Sequence, residues 1–367
     1  MKNWPVIPLA LALTLQVSSA LPVGAAGAVT GVPDSNASSL SNVENQIMDV
    51  SRGLRGKVEN QMKLLERAAV EYELSDDDNA ILHASKAIEA IPMQVAAPYI
   101  IRGLAKLDKG DSIGAEDDLS RAIQLHPQDG FLYGARAAAR YEKGDAPGAI
   151  ADYSEAIRLA PKSAEIFFNR AVIEQDLNKR IEAIEDYTQA IALKPGYTKA
   201  FINRGACFTL QKMPKQALAD FNSAVAADPK SARAYCGRAI VKMILSDRKA
   251  AIDDLSKAIE VEPSGAAYEL RADARYAASD LKGAREDYVT GMKMEPERFG
   301  ILLKLAQIDT DNNDMKAALA DYDKFIALKK DNAEAYLKRG NIRYRGLDYD
   351  GAIADFTKVI QLAPNSA

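Results

Sequence analysis

The chain has 367 residues, of which 48% are hydrophobic and 27% charged, and its net charge at pH 7 is −4. This balance is typical of a folded protein and is not basic enough for a protein dedicated to phosphate backbones. Two cysteines and two histidines are too few for a disulfide scaffold or a histidine-rich metal site. The composition therefore predicts a protein without a nucleic-acid partner, a metal or another cofactor.

The amino terminus has the parts of a secretory signal. Lys2 precedes an apolar stretch from Trp4 to Val17, and small residues follow up to Ala28. The apolar stretch is shorter than the ~20 residues of a spanning helix, so no stable membrane span is expected after cleavage. We therefore predict a signal peptide over residues 1–28 and an exported protein, periplasmic or secreted. Prolines in the stretch leave an alternative, an uncleaved amino terminus in a cytoplasmic protein.

A linker and a capping helix are predicted next. Residues 29–42 are rich in small residues without a helical period, which is typical of a flexible linker. Ser41 and Glu44 have the spacing of a capping box, and apolar residues recur every three or four positions from Val43 to Leu65. This pattern predicts a helix over residues 43–60 that covers the exposed first face of the structure that follows.

The remainder of the chain repeats one unit nine times. A short apolar phrase, such as KAIEAIP or EAIRLAP, returns at intervals of 33 to 35 residues. Self-similarity at a fixed period indicates a repeat architecture. The phrases end at Pro92, Pro127, Pro161, Pro195, Pro229, Pro263, Pro296, Lys330 and Pro364. The predicted units are residues 61–94, 96–129, 130–163, 164–197, 198–231, 232–264, 265–298, 299–332 and 333–366.

With this period and these residues, the sequence resembles the tetratricopeptide repeat family, in particular its bacterial-type exported members with many repeats. The last unit has Tyr336, Gly340, Ala352, Phe356 and Pro364 at the family's spacings. The resemblance implies an all-α fold, a right-handed α-α superhelical solenoid of nine helix-turn-helix repeats. Each unit also has a Gly or Ala on both predicted helices, as in Gly103 with Ala115, which would let the two helices approach closely.

An arginine and an aspartate recur sixteen residues apart, one on each predicted helix of a unit. One hypothesis is a stripe of arginines that binds anions, and the other is an ion pair that joins the two helices. The fixed one-to-one spacing favours the structural ion pair. Two units depart from it, since Arg67 is matched with His83 and Leu305 leaves Asp321 without an arginine. The pairs are Arg102/Asp118, Arg136/Asp152, Arg170/Asp186, Arg204/Asp220, Arg238/Asp254, Arg271/Asp287 and Arg339/Asp355.

Residues for catalysis are scarce. The sequence contains no GxSxG, HExxH, CxxC or Walker-type run. Cys207 and Cys236 are predicted to be unpaired thiols, and His83 and His126 have no partners at metal-ligand spacing. We therefore predict that the protein is not an enzyme.

The family resemblance implies that the first helix of each unit forms the inner wall of a groove. A methionine among branched apolar residues is typical of an adaptable site for a peptide or a helix. The alternative is that some of these side chains pack against neighbouring helices. The predicted partner-binding wall consists of Phe131, Tyr141, Phe168, Val172, Lys199, Ile202, Arg233, Ile240, Met243 and Ile244.

Family members that clamp the carboxyl-terminal peptides of heat-shock chaperones suggest a further test. Asn169 and Asn203 stand at the middle asparagine place of that clamp. The Lys–Asn pair that should precede it is missing, since Phe168 and Val172, for example, occupy its places. The sequence therefore disfavours a carboxylate clamp.

Three functions remain open. The first is a non-enzymatic adaptor that binds a peptide or protein in the groove, outside the cytoplasm. The second is a scaffold or assembly subunit of a cell-envelope complex that acts through the solenoid ends, and the third is an accessory arm of an enzyme complex. Self-association through the last repeat is expected in addition, because Ile353, Phe356, Val359 and Ile360 need a cover.

Overall fold

The computed structural model describes residues 58–90 and 95–364, and every regular element in them is helical. The predicted signal peptide, the linker and residues 43–57 of the predicted capping helix lie outside the described residues. The helices are α1 Val58–Glu73, α2 Asp77–Ala90, α3 Ala97–Asp108, α4 Ser112–Leu125, α5 Gly130–Glu142, α6 Ala146–Leu159, α7 Ala164–Asp176, α8 Arg180–Leu193 and α9 Thr198–Leu210. They continue as α10 Pro214–Ala227, α11 Ala232–Ile244, α12 Arg248–Val261, α13 Gly265–Ala277, α14 Leu281–Met294, α15 Gly300–Asp311, α16 Met315–Leu328, α17 Ala333–Arg345 and α18 Tyr349–Leu362.

Consecutive helices pack in pairs, and each pair corresponds to one predicted repeat. The predicted all-α fold of helix-turn-helix repeats is thus confirmed. The described chain divides into two compact units, and the boundary between Cys207 and Phe208 falls within α9. Unit one contains α1 to α8 and most of α9, and unit two contains α10 to α18.

The turn inside each repeat contains one left-handed residue, and in most repeats an aspartate that caps the second helix follows it. Gly110 and Gly144 have positive φ in the second and third repeats, and Asn178 has it in the fourth. In seven repeats an aspartate then accepts a hydrogen bond from the N–H three residues on, as Asp145 does from Gly148 at 3.0 Å. The cap satisfies a free N–H group at the start of the second helix.

The end of each second helix is set by the repeat rather than by proline alone. In seven repeats the helix ends two residues before the phrase-ending proline, as α6 does at Leu159 before Pro161. The α16 helix ends at Leu328, at the same place, although Lys330 replaces the proline. Packing against the neighbouring helices therefore ends the helix, and the proline fixes that end.

The two helices of a repeat meet at small residues. Ala115 and its counterparts in the other repeats are buried in the interface. A Cβ atom added to Gly103 would lie 3.0 Å from Leu119 Cγ, so the backbones are already in contact. Large side chains pack beside this contact, and Tyr153 and Tyr187 in unit one and Tyr322 in unit two are fully buried.

Candidate functional site

Six of the predicted Arg–Asp pairs form the same two-pronged contact. In each, arginine Nε and Nη2 donate to the two aspartate oxygens over 2.6 to 2.9 Å. The hydrogen bonds raise the pKa of each arginine, so the guanidinium groups stay charged. Arg204 and Asp220, the seventh pair, fall on opposite sides of the unit boundary.

The aspartates of these six pairs are buried, which the sequence spacing does not indicate. Each aspartate is only 2 to 5% exposed, whereas the arginine side chains are 12 to 21% exposed. These carboxylates therefore offer little surface to a partner or ligand, which favours the structural hypothesis for the pairs. They are Asp118, Asp152, Asp186, Asp254, Asp287 and Asp355.

In seven repeats the third arginine nitrogen joins the repeat to the preceding one, a contact that the sequence analysis missed. Nη1 donates to a side-chain oxygen on the second helix of the preceding repeat over 2.6 to 3.2 Å. The sequence signal is a small polar residue fifteen to seventeen positions before the arginine. The acceptors are Ser85, Ser120, Ser154, Thr188, Asn222, Ser256 and Asp323.

An aromatic ring covers most of these arginines on one face. The ring three residues earlier lies 5.4 to 5.9 Å from the guanidinium carbon, as Tyr133 does above Arg136. The guanidinium is thus bonded along its edges and stacked on its face. Little of it is left to bind an anion, so the geometry supports the structural hypothesis.

In most repeats a second basic side chain stands four residues after the arginine. Arg140 Nη1, for example, lies 3.0 Å from Asp152 Oδ2. The fourth repeat has Glu174 at this place, where it faces Asp186. One Glu174 carboxylate oxygen is buried without a hydrogen-bond partner, and burial followed by the Asp186 charge raises the pKa of Glu174 to about 7.

The first repeat departs from the expected match of Arg67 with His83. His83 Nδ1 lies 2.6 Å from Glu71 Oε2 instead, and Arg67 is exposed. Glu71 is four residues after Arg67, at the place of the second cation in other repeats. In the eighth repeat, Asp321 accepts a hydrogen bond from Lys324 at 2.8 Å in place of the missing arginine.

The predicted wall residues in unit one need a correction. Phe131, Phe168, Val172 and Ile202 are buried, so they present no surface to a partner. Other parts of the chain cover them: the ring of Phe168, for example, lies 5.6 Å from that of Tyr187 on α8 and 4.9 Å from that of Tyr197 in the turn before α9.

The polar residues of unit one are also engaged in packing. Tyr141 is half-buried and donates a hydrogen bond to Asp176 of the next repeat. Burial, and to a smaller extent this hydrogen bond, raises the pKa of Tyr141 to about 12. Lys199 is half-buried. Asn203, one of the clamp asparagines, is buried and donates to the Tyr187 hydroxyl at 3.2 Å. Asn169, the other, is likewise buried.

In unit two, the predicted wall residues lie on α11 and most of them are accessible. Ile240 is 40% exposed and Ile244, one turn later, is 54% exposed. Arg233 is exposed on the first turn of the same helix, and Met243 is half-buried. The structure therefore restricts the accessible apolar part of the predicted wall to α11.

Beyond α11, the first helices of the next repeats form a polar cavity of about 260 Å³. Lys304 donates to Glu269 Oε1 and to Asp273 Oδ1, each at 2.8 Å. Tyr276 donates to Asp311 Oδ2 at 2.6 Å. The lining residues are Asp273, Tyr276, Tyr288, Leu303, Lys304, Gln307 and Lys338.

Neither thiol is part of a disulfide. Cys207 is buried and Cys236 is half-buried, and burial raises the pKa of both thiols to about 11. Within residues 58–90 and 95–364, no group of three or more His, Cys, Asp or Glu side chains could hold a metal ion. No helix in the same part of the chain is long and apolar enough to cross a membrane.

Comparisons with known proteins agree with this helix-pair geometry. Family models described as TPR repeat and Tetratricopeptide repeat match residues 137–177, and residues 168–232 and 303–367, respectively. A tetratricopeptide repeat protein from Parabacteroides merdae is 22% identical, with a TM-score of 0.52 over 63% of this chain and 92% of that chain. Pseudomonas aeruginosa pilF is 17% identical, with a TM-score of 0.51 over 59% of this chain and 97% of that chain. No curated protein sequence matched the chain.

Proposed function

Because the chain is a tetratricopeptide repeat protein, we propose that it binds a peptide or protein segment on the first helices of unit two. The observation that carries this proposal is the exposure of Ile240 and Ile244 one turn apart on α11. The parts of these two branched apolar side chains that face solvent add nothing to the core. They offer apolar area to a partner instead.

At the place of Ile240, no other described repeat combines a branched apolar side chain with exposure, although Leu210, at the place of Ile244 in the fifth repeat, is 61% exposed. In unit one, the place of Ile240 is taken by buried residues such as Leu104 and Val172. In the seventh and eighth repeats it is taken by the polar residues Asp273 and Gln307. The exposed branched residue at the place of Ile240 is therefore particular to the sixth repeat and is not a consequence of the repeat pattern.

The neighbouring cavity adds a polar part to the proposed site. The α11 and α13 helices are in contact, and Tyr276 on α13 is an exposed cavity residue. Lys338 lies 3.3 Å from Gln307 Oε1 at the cavity wall. A segment with branched or aromatic residues for α11 and a polar side chain for the cavity fits this arrangement.

A selection from a phage-displayed library of random peptides, with the full chain immobilised, tests the proposal. Selected peptides are synthesised, and their Kd is measured by fluorescence anisotropy for wild type and for Ile240→Glu. We expect the substitution to weaken binding at least tenfold, since it places a charge at the centre of the apolar contact.

The matched control is Val261→Glu on α12, the second helix of the same repeat. Val261 is 39% exposed and Ile240 is 40% exposed, so both variants add one charge at a similarly accessible apolar residue. The proposal predicts wild-type Kd for Val261→Glu. Equal losses in both variants, or no loss in Ile240→Glu, would refute α11 as the binding surface.

The role that follows is that of a non-enzymatic adaptor. Its family and its bonded charges support this role, and the absence of catalytic motifs in the sequence is consistent with it. Export through residues 1–28 is part of the proposal. The mass of the chain purified from its natural host tests it, because cleavage would remove about 3 kDa from 39.8 kDa.

A further inference from the structure

The last repeat exposes a face that the other repeats bury wholly or in part. Ile123, Ile259 and Ile326 stand at one place near the end of their second helices and are 7 to 9% exposed. Ile326 lies in a cluster with Ala335 and Ile342 of the next repeat, which therefore covers it. Ile360 stands at the same place in the last repeat and is 58% exposed.

The first helix of the last repeat shows the same contrast in exposure. Tyr72, in the first repeat, is buried and hydrogen-bonded to Asp108 of the second repeat. Tyr344 stands at the same place in the ninth repeat and is 60% exposed. We call the surface of Tyr344, Ile353, Thr357 and Ile360 the trailing face.

The first repeat exposes the surface that, in the other repeats, packs against the preceding repeat. Val70, three residues after Arg67 on α1, is 44% exposed. At the same place the other eight repeats have small or branched residues that are 0 to 4% exposed, because the preceding repeat covers them. We call the surface of Arg67, Val70 and Glu73 the leading face.

Polar groups on the two faces also stand at the places of residues that form hydrogen bonds between consecutive repeats inside the chain. Ser154 donates its hydroxyl to Ile150 O at 2.7 Å and accepts from Arg170 of the next repeat at 2.9 Å. Thr357 donates to Ile353 O at 2.7 Å in the same way, so its oxygen can accept a bond from an incoming arginine. Arg67 stands at the arginine place, and Glu73 at the place of Asp108, the acceptor for tyrosine.

We propose that the leading face of one copy docks on the trailing face of a second copy and forms one more repeat junction. In this contact Arg67 donates to Thr357, Tyr344 donates to Glu73, and Val70 covers the apolar residues of α18. The contact joins two different faces, so each copy keeps one face for a further copy. The competing occupant of the leading face is the part of the predicted capping helix that precedes α1, residues 43–57 of the same chain.

Light scattering after size-exclusion chromatography of the full chain, over a series of concentrations, tests the proposal. Wild type should exceed the 39.8 kDa of one chain and grow in mass with concentration. Val70→Glu and Ile360→Glu, changed at exposed residues, should each elute as monomers. An equimolar mixture of the two should form dimers and nothing larger, because one variant keeps a trailing face and the other a leading face.

Three results would overturn the proposal. A wild-type monomer at all concentrations would mean that the faces do not meet, for instance because the chain's own amino-terminal helix covers α1. If Ile360→Glu alone lost association, the trailing face would contact a surface other than the leading face. If Val70→Glu alone lost association, the leading face would contact a surface other than the trailing face. Circular dichroism melting curves matching wild type confirm that the variants are folded, and Val261→Glu serves as a charge-matched control that should associate like wild type.

Discussion

Replacing Glu174 by glutamine should stabilise the protein, and the gain should depend on pH. Glu174 is 7% exposed, and one of its oxygens is buried without a partner. Arg170 is 4.0 Å away and is already bonded to Asp186. Glutamine keeps the shape of the side chain and removes the charge that burial and Asp186 oppose.

The size of the effect follows from the pKa of Glu174, which rises from 4.5 to about 7 on folding. The folded state thus binds this proton more tightly than the unfolded state, so stability falls as pH rises from about 4.5 to about 7. The full difference corresponds to about 3 kcal/mol above pH 7. Relaxation of the surroundings lowers this, and we expect Glu174→Gln to gain about 1–3 kcal/mol at pH 8.

Urea unfolding followed by circular dichroism, at pH 5 and at pH 8, measures the effect. The variant should exceed wild type clearly at pH 8, and most of the difference should be gone at pH 5. Glu185→Gln, an exposed glutamate on α8, is the control and should behave like wild type at both pH values. An equal gain at both pH values, or none at pH 8, would refute the argument from the buried charge.

Three further substitutions test the packing by the same urea unfolding at pH 8. Asp254→Ala removes the carboxylate bonded to Arg238 at 2.7 and 2.8 Å, and a loss of about 3 kcal/mol is expected because a charge is left unpaired. Gly237→Ala would place a Cβ atom 2.1 Å from the ring of Phe221, so a loss of about 1–3 kcal/mol is expected. Leu347 has φ of 65° in an exposed turn, and Leu347→Asn should gain about 0.5–1 kcal/mol, since asparagine tolerates this conformation. A result of opposite sign in any variant would contradict the local geometry given for it.

The sequence period was sufficient to predict the helices and their pairing, because each repeat carries its own small residues, turn and helix ends. Burial on the first helices was not predictable in the same way. Val172 and Ile240 occupy the same place in their repeats, yet one is buried and the other is exposed. Burial there depends on side chains outside the first helix, such as the rings of Tyr187 and Tyr197 that lie beside Phe168. The pattern of one helix does not contain that information.

The eighth repeat shows what the recurring ion pairs are for. Leu305 replaces the arginine there, so the bond to the preceding repeat is also lost. Other charges connect the seventh and eighth repeats instead, since Arg285 donates to Asp309 at 2.8 Å and Lys304 to Glu269 at 2.8 Å. If the arginines served to bind anions, the loss of one would not require other ion pairs between the two repeats. If they hold consecutive repeats together, such a replacement is required. The substitution therefore favours a structural role for the arginines.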